Sequence, residues 1–137
     1  MGDAGAMIVL DTHVWLWWLH DPGKLSAAAN TLIQKEQESG AIVISAISVW
    51  EVAVKVQSGK LAIPMDIDRW YEAAKSYPAT VIEPFTPSDA IASTRLPGDF
   101  HKDPADRIII SLARRLTVPL LTCDRKILEY EHVITIW

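Results

Sequence analysis

The chain has 137 residues, 50% of them hydrophobic and 22% charged, with a net charge of −4, which suits one globular domain with a real core. The acidic balance excludes a protein that simply coats nucleic acid. A single cysteine, Cys123, excludes an internal disulfide or a cysteine-ligated zinc or iron–sulfur site, and the longest apolar run, Val14 to Leu19, is too short to span a membrane.

Residues 1–6 are small and glycine-containing and read as a flexible leader ahead of a domain spanning 7–137. They lack the basic flank and long apolar core of a signal peptide, so the expected compartment is the cytoplasm, with no membrane contact. Met7 to Leu10 is a short, continuous apolar strand ending at Asp11. Thr12 to His20 follows as a helix dense in aromatics, closed by the turn chemistry of Asp21-Pro22-Gly23. Ser26 caps a second helix to about Glu38, with Gly40 past its end. Ala41 to Ser45 is the second strand, and Ser48 can cap a helix from Val49 to about Gln57. Asp66 or Asp68 opens a helix carrying Trp70 and Tyr71 that ends before Pro78. Thr80 to Glu83 is the third strand, Pro87 to Arg95 a short helix, and Leu96 to Lys102 a loop. Asp103 is a candidate N-cap and Pro104 a suitable first residue for a helix to Leu116. The strand Leu120 to Thr122, a short helix Arg125 to Tyr130 and a last strand Val133 to Ile136 complete the chain.

Short apolar strands separated by helices indicate a sheet buried on both faces and joined by right-handed crossovers. The expected fold is a single three-layer α/β/α domain around a central, mostly parallel sheet of about five strands. Sites in such sheets form beyond the carboxyl ends of the strands, above all where strand order reverses. Asp11 and Asp124 fall at such ends. Glu51 sits early in the helix after the second strand, at a position where its neighbours Ile47 and Val54 are apolar, and Asp106 lies in the first turn of the helix leading to the fourth strand.

Each acid also has an ordinary structural role open to it. Asp11 and Asp124 can cap the helices that follow them, Glu51 can pair with Lys55, and Asp106 can serve a capping box with Asp103. Independent strand and helix assignments nevertheless bring all four to one edge of the sheet. Converging carboxylates raise one another's pKa values and call for a cation. Hard oxygen ligands without cysteine or histidine suit Mg2+ or Mn2+, and such an ion suits phosphoryl chemistry. With four acids taken up by a metal, the remaining 13 balance the 13 lysines and arginines.

The segments Met7 to Leu19, Ile44 to Ala53, Phe100 to Ile110 and Leu121 to Asp124 together resemble the four motifs of PIN-domain proteins, and more narrowly those of VapC-type toxins from bacterial toxin–antitoxin pairs. The resemblance covers Met7 to Trp137. It implies a Mg2+- or Mn2+-dependent ribonuclease whose acidic ligands are Asp11, Glu51, Asp106 and Asp124, with Asp103 as a fifth acid. It also implies cleavage leaving a 5′-phosphate and a 3′-hydroxyl, a homodimer, and an antitoxin that covers the acidic pocket.

Thr12, Ser48 and Thr122 stand beside acids and can orient them or bound water; helix capping and strand-end packing are the alternatives. Arg107 can meet RNA phosphate or, the favoured reading, pair with Asp103. His13 and His101 lie near the acids, but a metal makes a histidine base unnecessary. Trp15, Trp17 and Trp18 cannot all point inward from one short helix, so some of that surface should meet a partner. Core packing is expected for Trp15 and Trp50, and for Cys123. Two other readings remain: a PIN fold that binds RNA or antitoxin without cutting, and a receiver-type signalling domain. The receiver lacks support, because only one acid follows the first strand and no lysine follows the fifth.

Overall fold

The computed structural model describes residues 6–137; the leader expected at the N-terminus lies, for residues 1–5, outside the described residues. β1 (Met7–Leu10) leads into α1 (Thr12–His20), a 3-10 turn at Pro22–Lys24 and α2 (Ala27–Ser39). Next come β2 (Ala41–Ser45), α3 (Ala46–Gln57), α4 (Ile67–Lys75), β3 (Thr80–Glu83) and α5 (Pro87–Ser93). The chain ends with α6 (Pro104–Leu116), β4 (Leu120–Leu121), α7 (Arg125–Leu128) and β5 (Thr135–Ile136). The five strands form one parallel sheet in the order β3-β2-β1-β4-β5, as expected for a three-layer α/β/α domain.

Successive side chains of a strand face opposite ways, so a strand buried on both sides must be apolar throughout. Ile8, Leu10, Ile42 and Ile44 accordingly join Trp15 of α1, Ile33 of α2 and Trp70 of α4 in one core. Val9, Val43 and Leu120 face the other way and pack with Ile109 and Ile110 of α6 and Ile127 of α7. Trp15 and Trp70 meet edge to face with centroids 5.1 Å apart. The expectation that Trp50 packs inside is corrected: Trp50 is 59% exposed, because it precedes Glu51 on the outer side of α3.

Side-chain caps set most helix starts. Asp11, Ser26, Asp66, Thr86, Asp103 and Asp124 each accept a hydrogen bond from a backbone N–H in the first turn. At α3 the cap is Ser45, whose Oγ accepts from Ile47 N at 3.2 Å, and not Ser48. The helix therefore begins three residues earlier than the sequence suggests, and Ser48 becomes a buried residue of its first turn. Gly40 ends α2 against the carbonyl of Ala6; a Cβ there would lie 1.8 Å from that oxygen, so only glycine fits. Among the described residues no helix is long and apolar enough to cross a membrane.

One ion pair ties the third layer to the sheet edge. Arg115 of α6 donates through Nε and a terminal nitrogen to both oxygens of Asp89 in α5, at 2.8 and 3.2 Å, and reaches Glu83 at the end of β3 at 3.1 Å. Asp89 is only 3% exposed, whereas the arginine side chain is 40% exposed. Removing the arginine strands a buried carboxylate; removing the aspartate leaves a cation that can turn to water. Arg115→Ala is expected to cost about 2–3 kcal/mol and Asp89→Ala distinctly less, measured by urea unfolding. Equal losses would contradict this asymmetry.

Candidate active site

Strand order reverses at β1: the chain moves from β1 to β2 and β3 on one side, then returns to β4 and β5 on the other. Asp11 N donates to Leu121 O at 3.0 Å, which fixes the carboxyl ends of β1 and β4 side by side. Asp11 follows β1 directly and Asp124 lies three residues past β4. α3 starts immediately after β2, which keeps Glu51 near this edge. α6 returns antiparallel to the strand it precedes, so its N-terminus, with Asp103 and Asp106, opens at the same edge.

A hydroxyl network connects these acids. The buried Asp11 accepts from Thr12 N at 2.7 Å through Oδ1 and from Thr122 Oγ1 at 2.8 Å through Oδ2. The same Thr122 oxygen accepts from Asp124 N at 3.0 Å, so one hydroxyl links acids from two strand ends. Thr12 Oγ1 donates to Glu51 Oε1 at 2.5 Å and lies 2.7 Å from Ser48 Oγ. A hydroxyl has one proton, so Ser48 is the donor to Thr12. Asp124 Oδ1 accepts from Lys126 N, and Asp103 Oδ1 from Asp106 N, so the capping roles and the site coexist. His101 Nε2 lies 3.1 Å from Asp106 Oδ2, and His101 Nδ1 accepts from Asp103 N at 3.4 Å.

Burial and mutual repulsion act on the carboxyl groups together. Asp106 is pushed up to about 7, first by burial and then by the charges of Asp103, Asp11, Asp124 and Glu51. Burial raises Asp11 against the pull of its bonds from Thr122 and Thr12. Glu51 is also raised by burial, with Asp11 and Asp103 adding to it and Thr12 and Lys55 opposing. Five acids thus share one field with little positive charge among them. Among the described residues no three Asp, Glu, His or Cys side chains stand close enough, as they lie, to enclose one ion. The donor chemistry is that of a hard divalent cation: carboxylate and hydroxyl oxygens, desolvated and repelling.

Arg107 does not pair with Asp103, whose carboxylate is turned to the Asp106 N–H. Its guanidinium instead donates to the carbonyls of Ser93, Phe100 and His101 at 2.8, 3.1 and 3.2 Å, bracing the loop that carries His101. Cys123 is exposed, not buried, because β4 ends at Leu121 and the chain has already left the sheet. The structure also opens a cleft of about 620 Å3 beside Glu51 and Asp103, with Ile47, Trp50, Phe85 and Ala105 in its walls. Phe85 was not legible as a site neighbour from composition. Its place two residues after β3 is the signal that could have found it.

The family model described as PIN domain matches residues 8–133. Ribonuclease VapC22 from Mycobacterium tuberculosis is 32% identical over 132 residues, covering 95% of this chain and 98% of that protein. In fold, the chain is similar to a chain in the crystal structure of VapBC2 from Rickettsia felis bound to a DNA fragment from their promoter, with a TM-score of 0.71 at 16% identity over 96% of this chain and 98% of that one. A toxin–antitoxin complex from Klebsiella pneumoniae matches with a TM-score of 0.64 at 16% identity, over 95% and 96% of the two chains. A domain model covering nearly the whole sequence, and a relative this similar along its full length, agree with the acidic edge of the sheet: the chain belongs to the PIN-domain family and is a homologue of VapC ribonucleases.

Proposed function

We propose that this chain is a metal-dependent endoribonuclease acting as the toxin of a toxin–antitoxin pair, in the cytoplasm, where its RNA substrate resides. The observation that carries the reading is the convergence of Asp11, Glu51, Asp106 and Asp124 at the switch point of the sheet, partly desolvated and mutually repelling. These four would hold Mg2+ or Mn2+. When bound, the ion supplies an activated water for attack on a phosphodiester and neutralises charge on the phosphate. The chain's own part is positional. Thr122 orients Asp11, Thr12 orients Glu51 with Ser48 behind it, Asp103 caps the helix that carries Asp106, and His101 faces that carboxylate. The expected products carry a 5′-phosphate and a 3′-hydroxyl.

Two protein partners belong to this proposal: a cognate antitoxin that covers the acidic edge, and a second copy of the chain. The exposed Trp50, Val54 and Phe85 beside the site provide apolar surface for such contacts.

The test is cleavage of a labelled RNA panel in Mg2+, Mn2+ or EDTA, with Asp11→Asn as control. Cutting that requires the ion and vanishes in the variant is the expected result. Equal cutting by both proteins would assign the activity to a contaminant. Tight RNA binding with no cutting in any metal would make the chain a non-catalytic PIN module.

A further inference from the structure

Outside the carboxylates, one group of side chains on the rim combines cation and aromatic character. His13 follows Thr12 at the start of α1, and Lys55 lies one helical turn beyond Glu51 in α3. Lys55 Nζ stands 3.5 Å from His13 Nε2, and among the described residues no carboxylate lies within ion-pair distance of it. Both lie within electrostatic reach of the acidic site, His13 acting on Asp11 and Lys55 on Glu51. The imidazole of His13 is 6.2 Å from the ring of Trp17, one turn further along α1, and Trp17 is 5.8 Å from Trp137. Trp137 follows β5, whose Ile136 carbonyl accepts from Thr122 N at 3.3 Å, so it too belongs to the carboxyl edge of the sheet. Neither Trp17 nor Trp137 is fully buried.

Single-stranded nucleic acid is held by this pairing of backbone-facing cations with aromatic faces for the bases. The acidic site needs the scissile phosphate at its mouth, and Lys55 brings a cation to the same rim, with His13 beside it. We propose that His13, Lys55, Trp17 and Trp137 form a nucleotide subsite for single-stranded RNA on the rim of the acidic site. Lys55 and His13 meet a phosphate adjacent to the one cut, and the tryptophan pair stacks the base beyond it. This assignment rests on the ribonuclease reading above. It makes these four positioning and specificity residues, with no part in bond breaking, and predicts a tolerance for any base with a preference for unpaired RNA.

The test uses fluorescently labelled single-stranded RNA and the full chain carrying Asp11→Asn, which prevents cutting, with binding read by anisotropy in Mg2+ at several salt concentrations. Lys55→Gln is expected to weaken binding and to lower the slope of log Kd against log salt by about 0.7, the share of one phosphate contact on a single strand. Trp17→Ala is expected to weaken binding about fivefold or more, while Trp17→Phe retains most of the affinity. A 2-aminopurine base placed just beyond the phosphate adjacent to the cut should be quenched by the parent and not by Trp17→Ala. Melting curves of each variant exclude unfolding as the cause, and Trp17→Phe preserves the packing should alanine fail to fold. If Lys55→Gln folds and binds with the parent's affinity and salt slope, or if Trp17→Ala folds, binds as the parent does and leaves the 2-aminopurine quenching intact, the subsite is overturned; should Trp17→Ala not fold, the Lys55→Gln result alone decides. Metal-dependent cutting by the unaltered chain would survive that result. A patch that alters only the mass of the particle in light scattering is a protein contact, which also overturns it. Absence of both binding and cutting of any RNA by the unaltered chain removes the subsite and the ribonuclease reading together.

Discussion

Asp106→Asn is expected to reduce RNA cleavage at least about 100-fold and at the same time to raise the melting temperature of the metal-free protein at pH 8. The two effects have one cause. Asp106 in the folded chain is pushed up to about 7 from the ordinary aspartate value of 3.8, by burial and by four neighbouring acids. Between those two values the native state holds a proton that the unfolded chain releases, so stability falls as pH rises from about 4 to about 7 and is level above. Ionised Asp106 thus works against the fold at neutral pH by about 1–3 kcal/mol, a strain that asparagine removes without changing shape.

A divalent cation held by the proposed site would reverse the sign of that contribution. Added Mg2+ favours the ionised carboxyl and should raise the melting temperature of the parent chain at pH 8, more than that of Asp106→Asn. Thermal melts from pH 4.5 to 8, with EDTA and with Mg2+, measure all of this. If the variant melts lower than the parent throughout the range, Asp106 is supported by the fold instead of strained by it, and the crowded-carboxylate account fails.

The architecture was legible because strands buried on both faces must be apolar throughout, and β1, β2 and β3 have the boundaries their sequence suggests. That these acids share one edge was legible for a topological reason: in a parallel sheet every strand ends at the same edge, and a crossover helix can start there. Asp11, Glu51, Asp106 and Asp124 follow from that rule. The failures are those of side-chain direction. Asp103 and Arg107 are one turn apart, yet the cap needs the aspartate's carboxylate and the loop carbonyls need the guanidinium. Trp50 has the composition of a core residue, but its neighbour Glu51 owns the inward face. Ser45 and Ser48 are both plausible caps in sequence. Ser45, at the end of β2, takes the role, and Ser48 is left to support Thr12.

That support shell carries the second large effect, and Thr122→Val isolates it. Valine matches the shape of threonine but removes the hydroxyl that donates to Asp11 Oδ2 and accepts from Asp124 N. Thr122 is fully buried, so no water replaces the lost bonds, and about 1–3 kcal/mol of stability should disappear. The bond from Thr122 is the largest influence opposing the upward push of burial on Asp11. Without it the Asp11 carboxyl rises further, so the penalty must grow with pH and be smallest where Asp11 is protonated. Because Asp11 and Asp124 then lose their shared anchor, the Mg2+ concentration for half-maximal cleavage should increase about 10- to 100-fold. Thr122→Ser retains the hydroxyl and should recover most of both losses, which separates hydrogen bonding from packing. A valine variant that keeps the parent's Mg2+ midpoint would mean that Asp11 is positioned by Thr12 N alone, and the role assigned to Thr122 would fall.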